Sequence, residues 1–178
     1  MPNDTKALII PGGFPEEFAE EISHCYNSLD SLRTSFGKLP IYAECGGMLI
    51  LGKYLYDKNG NKHSMTDLLP FNSRRGDLSV GYREIKPLTN GLMINKGEVL
   101  VGHEFHRWEL DYESNINSQG ISNNLNQLDF LWEMKGWGLT TRKEGWGNKY
   151  LHASWIHLHW PSSPSIINNF LSKIGTST

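Results

Sequence analysis

The sequence predicts an α/β fold in which a mostly parallel sheet is flanked by helices. Two short apolar runs, Ala7–Ile10 and Leu39–Ala43, are each followed within a few residues by a glycine pair, as buried strands entering tight turns are. A helical pattern separates the two runs, and another apolar segment begins at Met48. Strands that alternate with helices are typical of parallel sheets, because the helix returns the chain to the start of the next strand.

The first predicted helix covers residues 15–32. Phe18, Ile22, Cys25 and Leu29 recur at spacings of three and four residues, which is the pattern of one apolar helix face. Glutamates gather near the N-terminal end, where the helix dipole favours negative charge. The pattern predicts a structural position in the core for Cys25.

The second half of the chain is predicted to consist of short strands and turns. Ser79–Ile85 and Glu98–His103 have strand-like composition, and Ser165–Ile174 has the pattern of a closing helix. The polar, asparagine-rich residues 111–127 are expected to form a surface insertion. Because no repeat or linker divides the chain, residues 1–178 are expected to form one domain.

Composition excludes several classes of function. The net charge of −2, from 17 basic and 19 acidic residues, gives no basic footprint for nucleic acid. No apolar run reaches the roughly 18 residues of a membrane helix, so no membrane association is expected. Two cysteines cannot make a disulfide framework, and the first residues carry no secretory signal, so a cytoplasmic location is expected.

Cys45 is the candidate nucleophile. It lies at the junction of a predicted strand and helix, where a sharp turn exposes a side chain and aims backbone N–H groups at a developing oxyanion. The N–H groups of Gly46 and of Gly12 or Gly13 are the candidate donors. The competing interpretation is a buried structural cysteine, since cysteine is so often interior.

His157 is the candidate base for this thiol. It lies in a strand-like segment in which His159 would share its face, because strand side chains repeat every two residues. The pair could instead bind zinc with His103 and His106, although the spacing matches no standard zinc site, or both histidines could be structural. The phosphate-binding pattern G-x-x-x-x-G-K-[ST] is absent, so no ATP site is expected in this chain.

Motifs of one family occur along the chain in the family's order. Together they resemble the glutamine amidotransferase domain of cobyrinic acid a,c-diamide synthases, which are enzymes of cobalamin biosynthesis. The resemblance runs from Ala7 to the C-terminus, apart from the asparagine-rich stretch. The motifs are Pro11–Glu16, Leu39–Met48, Gly81–Arg83, Gly102–His106 and Ala153–Trp160.

The resemblance implies a class I-like glutaminase of flavodoxin-like fold, with Cys45 as nucleophile and His157 as base. Many related glutaminases carry a glutamate two residues after this histidine; His159 occupies that position here, so a Cys–His dyad is expected, with His159 as possible support. Ammonia from glutamine would pass to an ATP-activated carboxylate of a corrinoid. ATP and Mg²⁺ are expected on a synthase domain outside this chain, and no cofactor or metal is expected within it.

The sequence departs from the family pattern at its N-terminal side. The ATP-binding half and about one early strand–helix–strand unit have no counterpart here, so the domain is expected to be N-terminally incomplete. Two alternatives therefore stay open: a non-catalytic or regulatory partner of a split synthase, and amidation of a related nickel tetrapyrrole.

The Gly102–His106 motif is expected to support the site. On a strand, Glu104 and His106 would share one face, while His103 and Phe105 would share the other, with Phe105 packed inward. The resemblance places the motif in the same domain as Cys45. Glu104 and His106 are expected to organise the glutamine pocket or the route of ammonia, and the competing interpretation is a purely structural polar cluster.

Overall fold

A computed structural model describes residues 1–112 and 128–174. Ten strands and four α-helices lie in these ranges, with short 3₁₀ turns at Pro15–Glu17 and Trp160–Ser162. In chain order the elements are β1 (Leu8–Ile10), α1 (Ala19–Ser23), α2 (Tyr26–Ser35), β2 (Ile41–Glu44), α3 (Gly46–Leu49), β3 (Tyr54–Tyr56), β4 (Lys62–Ser64), β5 (Phe71–Pro87), β6 (Leu100–Tyr112), β7 (Asp129–Lys135), β8 (Arg142–Gly147), β9 (Leu151–Ser154), β10 (His157–Leu158) and α4 (Pro164–Ile174).

The part of the sheet that carries the site is parallel. β2 pairs in parallel with β1 on one side and with β9 on the other, so that Ile41 is in register with Leu8 and Leu151. The predicted first and second strands are therefore confirmed. This arrangement brings the carboxyl ends of β1, β2 and β9 to one edge of the sheet, where α/β folds build their sites.

The sheet as a whole is mixed rather than mostly parallel. β5–β6, β5–β7, β7–β8 and β8–β9 are antiparallel, and β10 returns to pair with β6, which curls the sheet. β7, β8 and β9 follow one another through short connections, which can join antiparallel neighbours but leave no room for a crossover helix. The α/β class is confirmed, and the parallel pattern is confined largely to the strands around β2.

Two hydrophobic cores cover the two faces of the sheet. Because successive strand residues point to opposite sides, Ile41 and Ala43 pack into the first core while Tyr42 packs into the second. Helix α4 closes the second core with Ile166 and Phe170. The residues of β2 are therefore held from both sides up to the turn at Cys45.

The predicted helix over residues 15–32 is broken into three pieces. A 3₁₀ turn at Pro15–Glu17 precedes α1, and a break at His24–Cys25 separates α1 from α2. The Ser23 hydroxyl donates to the Glu20 carbonyl at 2.7 Å, a local bond that competes with continued helix. Cys25 is exposed, so its predicted place in the core is wrong. The helix breaks at His24–Cys25, so the apolar face predicted for one continuous helix does not include Cys25.

The predicted surface insertion at 111–127 lies, beyond Tyr112, outside the described residues. Asp111 and Tyr112 are the last residues of β6.

Among the described helices, none is both long and apolar enough to cross a membrane.

Candidate active site

Cys45 occupies a strained turn between β2 and α3. Its backbone has φ 50° and ψ −116°, a region that residues with a Cβ rarely adopt. The Cys45 N–H donates to the Ser154 carbonyl at 2.7 Å, which ties the turn to the end of β9. The side chain is buried, with 6% of its surface exposed, and the thiol donates to the Phe105 carbonyl at 3.6 Å. The turn has the geometry of a nucleophile elbow.

The loop after β1 lies directly against this elbow. A Cβ on Gly46 would lie 2.3 Å from the Gly13 carbonyl oxygen, so the two backbones approach more closely than any side chain allows. Gly12 faces the catalytic candidates, since a Cβ there would lie 2.7 Å from Cε1 of His157 and 3.6 Å from Cβ of Cys45. The three predicted oxyanion residues therefore surround Cys45, and their role as donors stays a prediction.

His157 lies beside Cys45. The residue is in β10, which pairs with β6 so that His157 is in register with His103. Contact with the Cys45 side chain and a hydrogen bond with Glu44 together raise the pKa of His157 to about 10, against the opposing effect of partial burial. A histidine that holds a proton this firmly can stabilise a neighbouring thiolate.

Glu44, the residue immediately before Cys45, holds the imidazole. Its Oε1 lies 2.7 Å from Nδ1 of His157, and its Oε2 accepts from the Tyr42 hydroxyl and, at 3.3 Å, from the Leu158 N–H. Burial opposes ionisation, but the hydrogen bonds from His157 and Tyr42 hold the pKa of Glu44 below its usual value. This residue is not among those predicted from the sequence. The available signal was the alternation that places Tyr42 and Glu44 on one face of β2.

His159 lies apart from this arrangement. It lies between the two residues of β10 and the turn at Trp160–Ser162, and its side chain is exposed. Because β10 ends at Leu158, His159 does not lie on a strand with His157, and its support of the site stays a prediction. Among residues 1–112 and 128–174, no cluster of three metal-binding side chains occurs, which leaves the zinc alternative without a ligand set.

A cavity of about 440 Å³ opens in front of Cys45. Its size is that of a small-molecule site. The wall includes Gly13 and Gly46 as well as the aromatic rings of Phe105 and Trp155. Charged residues of both signs also line it: Glu16, Glu17, Lys58, Arg75 and Arg107.

His106 forms part of the cavity wall and is fixed on all sides. Its ring stacks on Trp155 with centroids 3.7 Å apart. Nδ1 lies 2.6 Å from the Trp108 carbonyl oxygen, and Nε2 lies 2.8 Å from Glu104. The ring therefore holds Trp155 at the edge of the cavity.

Glu104 lies behind His106 and is fully buried. It accepts from Arg83 at 2.7 Å and from Arg142 at 2.8 Å. Burial opposes ionisation, but the hydrogen bonds from His106 and Arg83 lower the pKa of Glu104 to about 2. Glu104 and His106 share a face as expected, whereas Phe105 is 46% exposed rather than packed inward.

Comparisons with known proteins find sequences and a structure that resemble this chain. The family model of the CobB/CobQ-like glutamine amidotransferase domain matches residues 1–165. Cobyrinate a,c-diamide synthase of Synechococcus sp. is 32% identical over 180 residues, which is 100% of this chain and 37% of that protein. Cobyrinate a,c-diamide synthase of Saccharolobus solfataricus is 32% identical over 160 residues, or 88% of this chain and 34% of that protein.

A second kind of relative and a solved structure extend the comparison. Hydrogenobyrinate a,c-diamide synthase of Mycobacterium tuberculosis is 27% identical over 184 residues, covering 100% of this chain and 36% of that protein. A crystal structure of a glutamine amidotransferase matches with a TM-score of 0.61 at 18% identity, covering 98% of this chain and 82% of that one. The structural match shows the fold. The chain spans about a third of the length of these curated relatives.

Proposed function

Because the chain belongs to the CobB/CobQ-like glutamine amidotransferase domain family, we propose that it is the glutaminase part of a cobyrinate a,c-diamide synthase. It releases ammonia from glutamine for the amidation of corrin-ring carboxylates. The single observation that carries the proposal is Cys45 at a strained elbow, in contact with a histidine of raised pKa.

The proposed reaction begins with the Cys45–His157 pair. His157 takes the thiol proton, and Sγ attacks the side-chain amide carbon of glutamine. Backbone N–H groups of Gly46 and of Gly12 or Gly13 stabilise the oxyanion of the tetrahedral intermediate. His157 returns the proton to the leaving nitrogen, ammonia departs, and water hydrolyses the thioester to glutamate.

The charges of the cavity support an amino acid as its occupant. Glutamine carries an α-carboxylate and an α-ammonium group, so its site needs charges of both signs. The structure pairs Lys58 with Glu17 at 2.5 Å, and gives Arg75 and Arg107 no ion-pair partner among the described residues. We therefore assign the α-carboxylate to the arginine side of the cavity and the α-ammonium group to the side of Glu16.

The remaining steps of the synthase lie outside this chain. The relatives are about three times as long, and the chain has no phosphate-binding loop, so ATP and Mg²⁺ are assigned to a synthase part in the same or another polypeptide. Glutamine and a corrinoid are the proposed substrates, with a related nickel tetrapyrrole as the alternative acceptor. The proposed location is the cytoplasm, and no residue of this chain is assigned to a metal.

Substitution of the nucleophile tests the proposal. Cys45→Ser is expected to lower glutamine hydrolysis at least about 10³-fold, because serine at this site is the weaker nucleophile. In the enzyme assembled with its ATP-binding part, amidation with free ammonia should persist. Glutamine hydrolysis is measured as glutamate release, and amidation is measured on the tetrapyrrole. Both assays are run with and without the co-expressed ATP-binding part.

Cys25→Ser is the matched control, because Cys25 is the second cysteine and is exposed. It should retain the full rate. Undiminished glutamine turnover in Cys45→Ser would exclude Cys45 as nucleophile. Absence of glutamate release from the assembled, unsubstituted enzyme would favour the non-catalytic partner instead.

A further inference from the structure

The carboxylate of Glu44 connects two strands around the base. It extends from the last residue of β2, accepts from the ring of His157 in β10, and accepts from the Tyr42 hydroxyl two residues back along β2. The Leu158 N–H supplies a further donor at 3.3 Å. The Glu44 side chain is only 15% exposed, so these bonds are largely shielded from water.

The hydrogen bond to Glu44 decides which nitrogen of His157 carries hydrogen. An ionised carboxylate only accepts, so Nδ1, which faces it at 2.7 Å, must donate. In the neutral ring, Nε2 is then the unprotonated nitrogen, free to take a proton from the thiol. Without the carboxylate, both neutral tautomers would be available, and the ring would lose its orientation.

The strained turn explains how two consecutive residues reach one imidazole. Neighbouring strand residues point to opposite faces of a sheet, so Glu44 and Cys45 would diverge in a regular strand. The φ of 50° at Cys45 breaks this alternation at the end of β2. Both side chains contact His157 as a result.

We infer that Glu44 is the positioning residue of the site, completing a Cys–His–Glu triad whose acid comes from the position before the nucleophile. The inference rests on the proposed glutaminase function for the chemical role of the triad. It replaces the dyad predicted from the sequence, in which the exposed His159 occupied the expected place of the acid. Tyr42 acts through Glu44, since its hydroxyl holds the second carboxylate oxygen.

The other titratable groups near His157 do not offer a second acceptor. Among the described residues, His103 of β6 has its ring centroid 6.4 Å away, and Cys45 occupies the remaining side. Burial and the neighbouring Glu44 raise the pKa of Tyr42, so its hydroxyl stays a donor. The negative charge next to the imidazolium is thus that of Glu44, and its removal should make the imidazolium–thiolate pair less stable.

The test compares Glu44→Gln with the parent in a full chain that carries Cys25→Ser, so that Cys45 is the only thiol. The rate of alkylation by iodoacetamide is measured from pH 5 to 10, because alkylation reports the thiolate. We expect the rate at pH 6.5 to fall about tenfold and the profile to move to higher pH. In glutaminase assays, kcat should fall at least about 10²-fold with KM changed less than about threefold.

Further variants separate positioning from folding. Glu44→Asp should recover part of the alkylation rate, and Tyr42→Phe should shift the profile in the same direction by a smaller amount. Glu133→Gln, at an exposed position of β7, should match the parent in both assays. Nitrogen NMR of the histidine-labelled chain is recorded above pH 10, where His157 loses its second proton. The remaining hydrogen should lie on Nδ1 in the parent, whereas in Glu44→Gln it should exchange between both nitrogens.

The two hypotheses fail in different ways. If the parent hydrolyses glutamine and a folded Glu44→Gln or Glu44→Asp keeps its kcat and alkylation profile, the role of Glu44 is overturned and the proposed function stands. If no form hydrolyses glutamine even when assembled with the co-expressed ATP-binding part, but the profile and the NMR signals shift with Glu44, the positioning is upheld and the glutaminase proposal is overturned.

Discussion

The glycines around Cys45 show how single residues set the shape of the site. Gly46 and Gly47 are required by close backbone contacts, since a Cβ on Gly46 would lie 2.3 Å from the Gly13 carbonyl oxygen and one on Gly47 would lie 2.2 Å from that of Ile10, at the end of β1. Gly13, on the loop that follows β1, has open space where its Cβ would lie. The loop and the elbow are therefore in contact at Gly46 and Gly47, whereas Gly13 faces the cavity.

Alanine substitutions should distinguish the glycine in close backbone contact from the one with open space around it. We expect Gly46→Ala to lower the free energy of unfolding by about 1–3 kcal/mol, because the backbone of the loop must move to admit the methyl group. Gly13→Ala should change it by less than about 0.5 kcal/mol. Both values are measured by urea denaturation, and equal losses for the two variants would contradict the close contact at Gly46.

At the scale of elements, β6 divides its side chains between two environments. Glu104 and His106 point to the interior, where they form a charged network with Arg83 of β5. His103 and Phe105 point the other way, with ring centroids 6.5 Å apart. The network joins β6 to the strand beside it and also supports the cavity wall through the ring of His106.

Two ion pairs between β5 and β6 allow a matched test. Glu104→Ala should lower the free energy of unfolding by about 3–5 kcal/mol, because it leaves the Arg83 guanidinium buried without its partner. Glu109→Ala removes one of the two ion-pair partners of Arg74, the other being Asp111. The Arg74 and Glu109 side chains are both more than half exposed, so the loss should be less than about 1 kcal/mol. Equal effects in guanidinium denaturation would contradict a special role for the buried network.

The contribution of Glu104 to the free energy of unfolding depends on pH in a definite direction. The pKa of Glu104 is lowered to about 2 in the folded protein, so its contribution is fully present above its ordinary value near 4.5. The contribution is lost as the pH falls through 2. The difference in stability between the parent and Glu104→Ala should therefore shrink only below about pH 4.5.

At the scale of the whole molecule, the second core contains a histidine without polar partners. His152 is fully buried between Tyr42 and Trp132, and neither ring nitrogen has a hydrogen-bond partner among the residues that the structure describes. Burial lowers its pKa to about 3. Because the unfolded chain binds a proton near pH 6.5 and the folded chain does not, folding is favoured above pH 6.5 and weakened as the pH falls toward 3.

The pH dependence of stability should reveal this residue. Between pH 6.5 and 3, His152 should reduce the free energy of unfolding by up to about 1.4 kcal/mol per pH unit. His152→Phe, which keeps a ring between the same neighbours, should flatten the profile over this range, whereas His24→Gln at an exposed position should follow the parent. Urea denaturation at each pH measures the difference, and parallel profiles for the parent and His152→Phe would exclude the effect.

The sequence by itself determined the local features of the site. The apolar runs ending at glycines predicted β1, β2 and the turn at Cys45, because such patterns involve residues that are neighbours along the chain. The ordered motifs predicted the family, which the comparisons confirmed. The alternation in β6 predicted that Glu104 and His106 share a face.

Only the tertiary structure decided how distant segments meet. Glu44 and His157 are 113 residues apart, and their hydrogen bond depends on the order of strands, which periodicity does not encode. The exposure of Cys25 depends in the same way on a break in its helix and on what packs against each side. The sequence pattern therefore did not predict Glu44 as the acid of the site, because its carboxylate becomes a partner of the base only when the curled sheet brings β10 beside the end of β2.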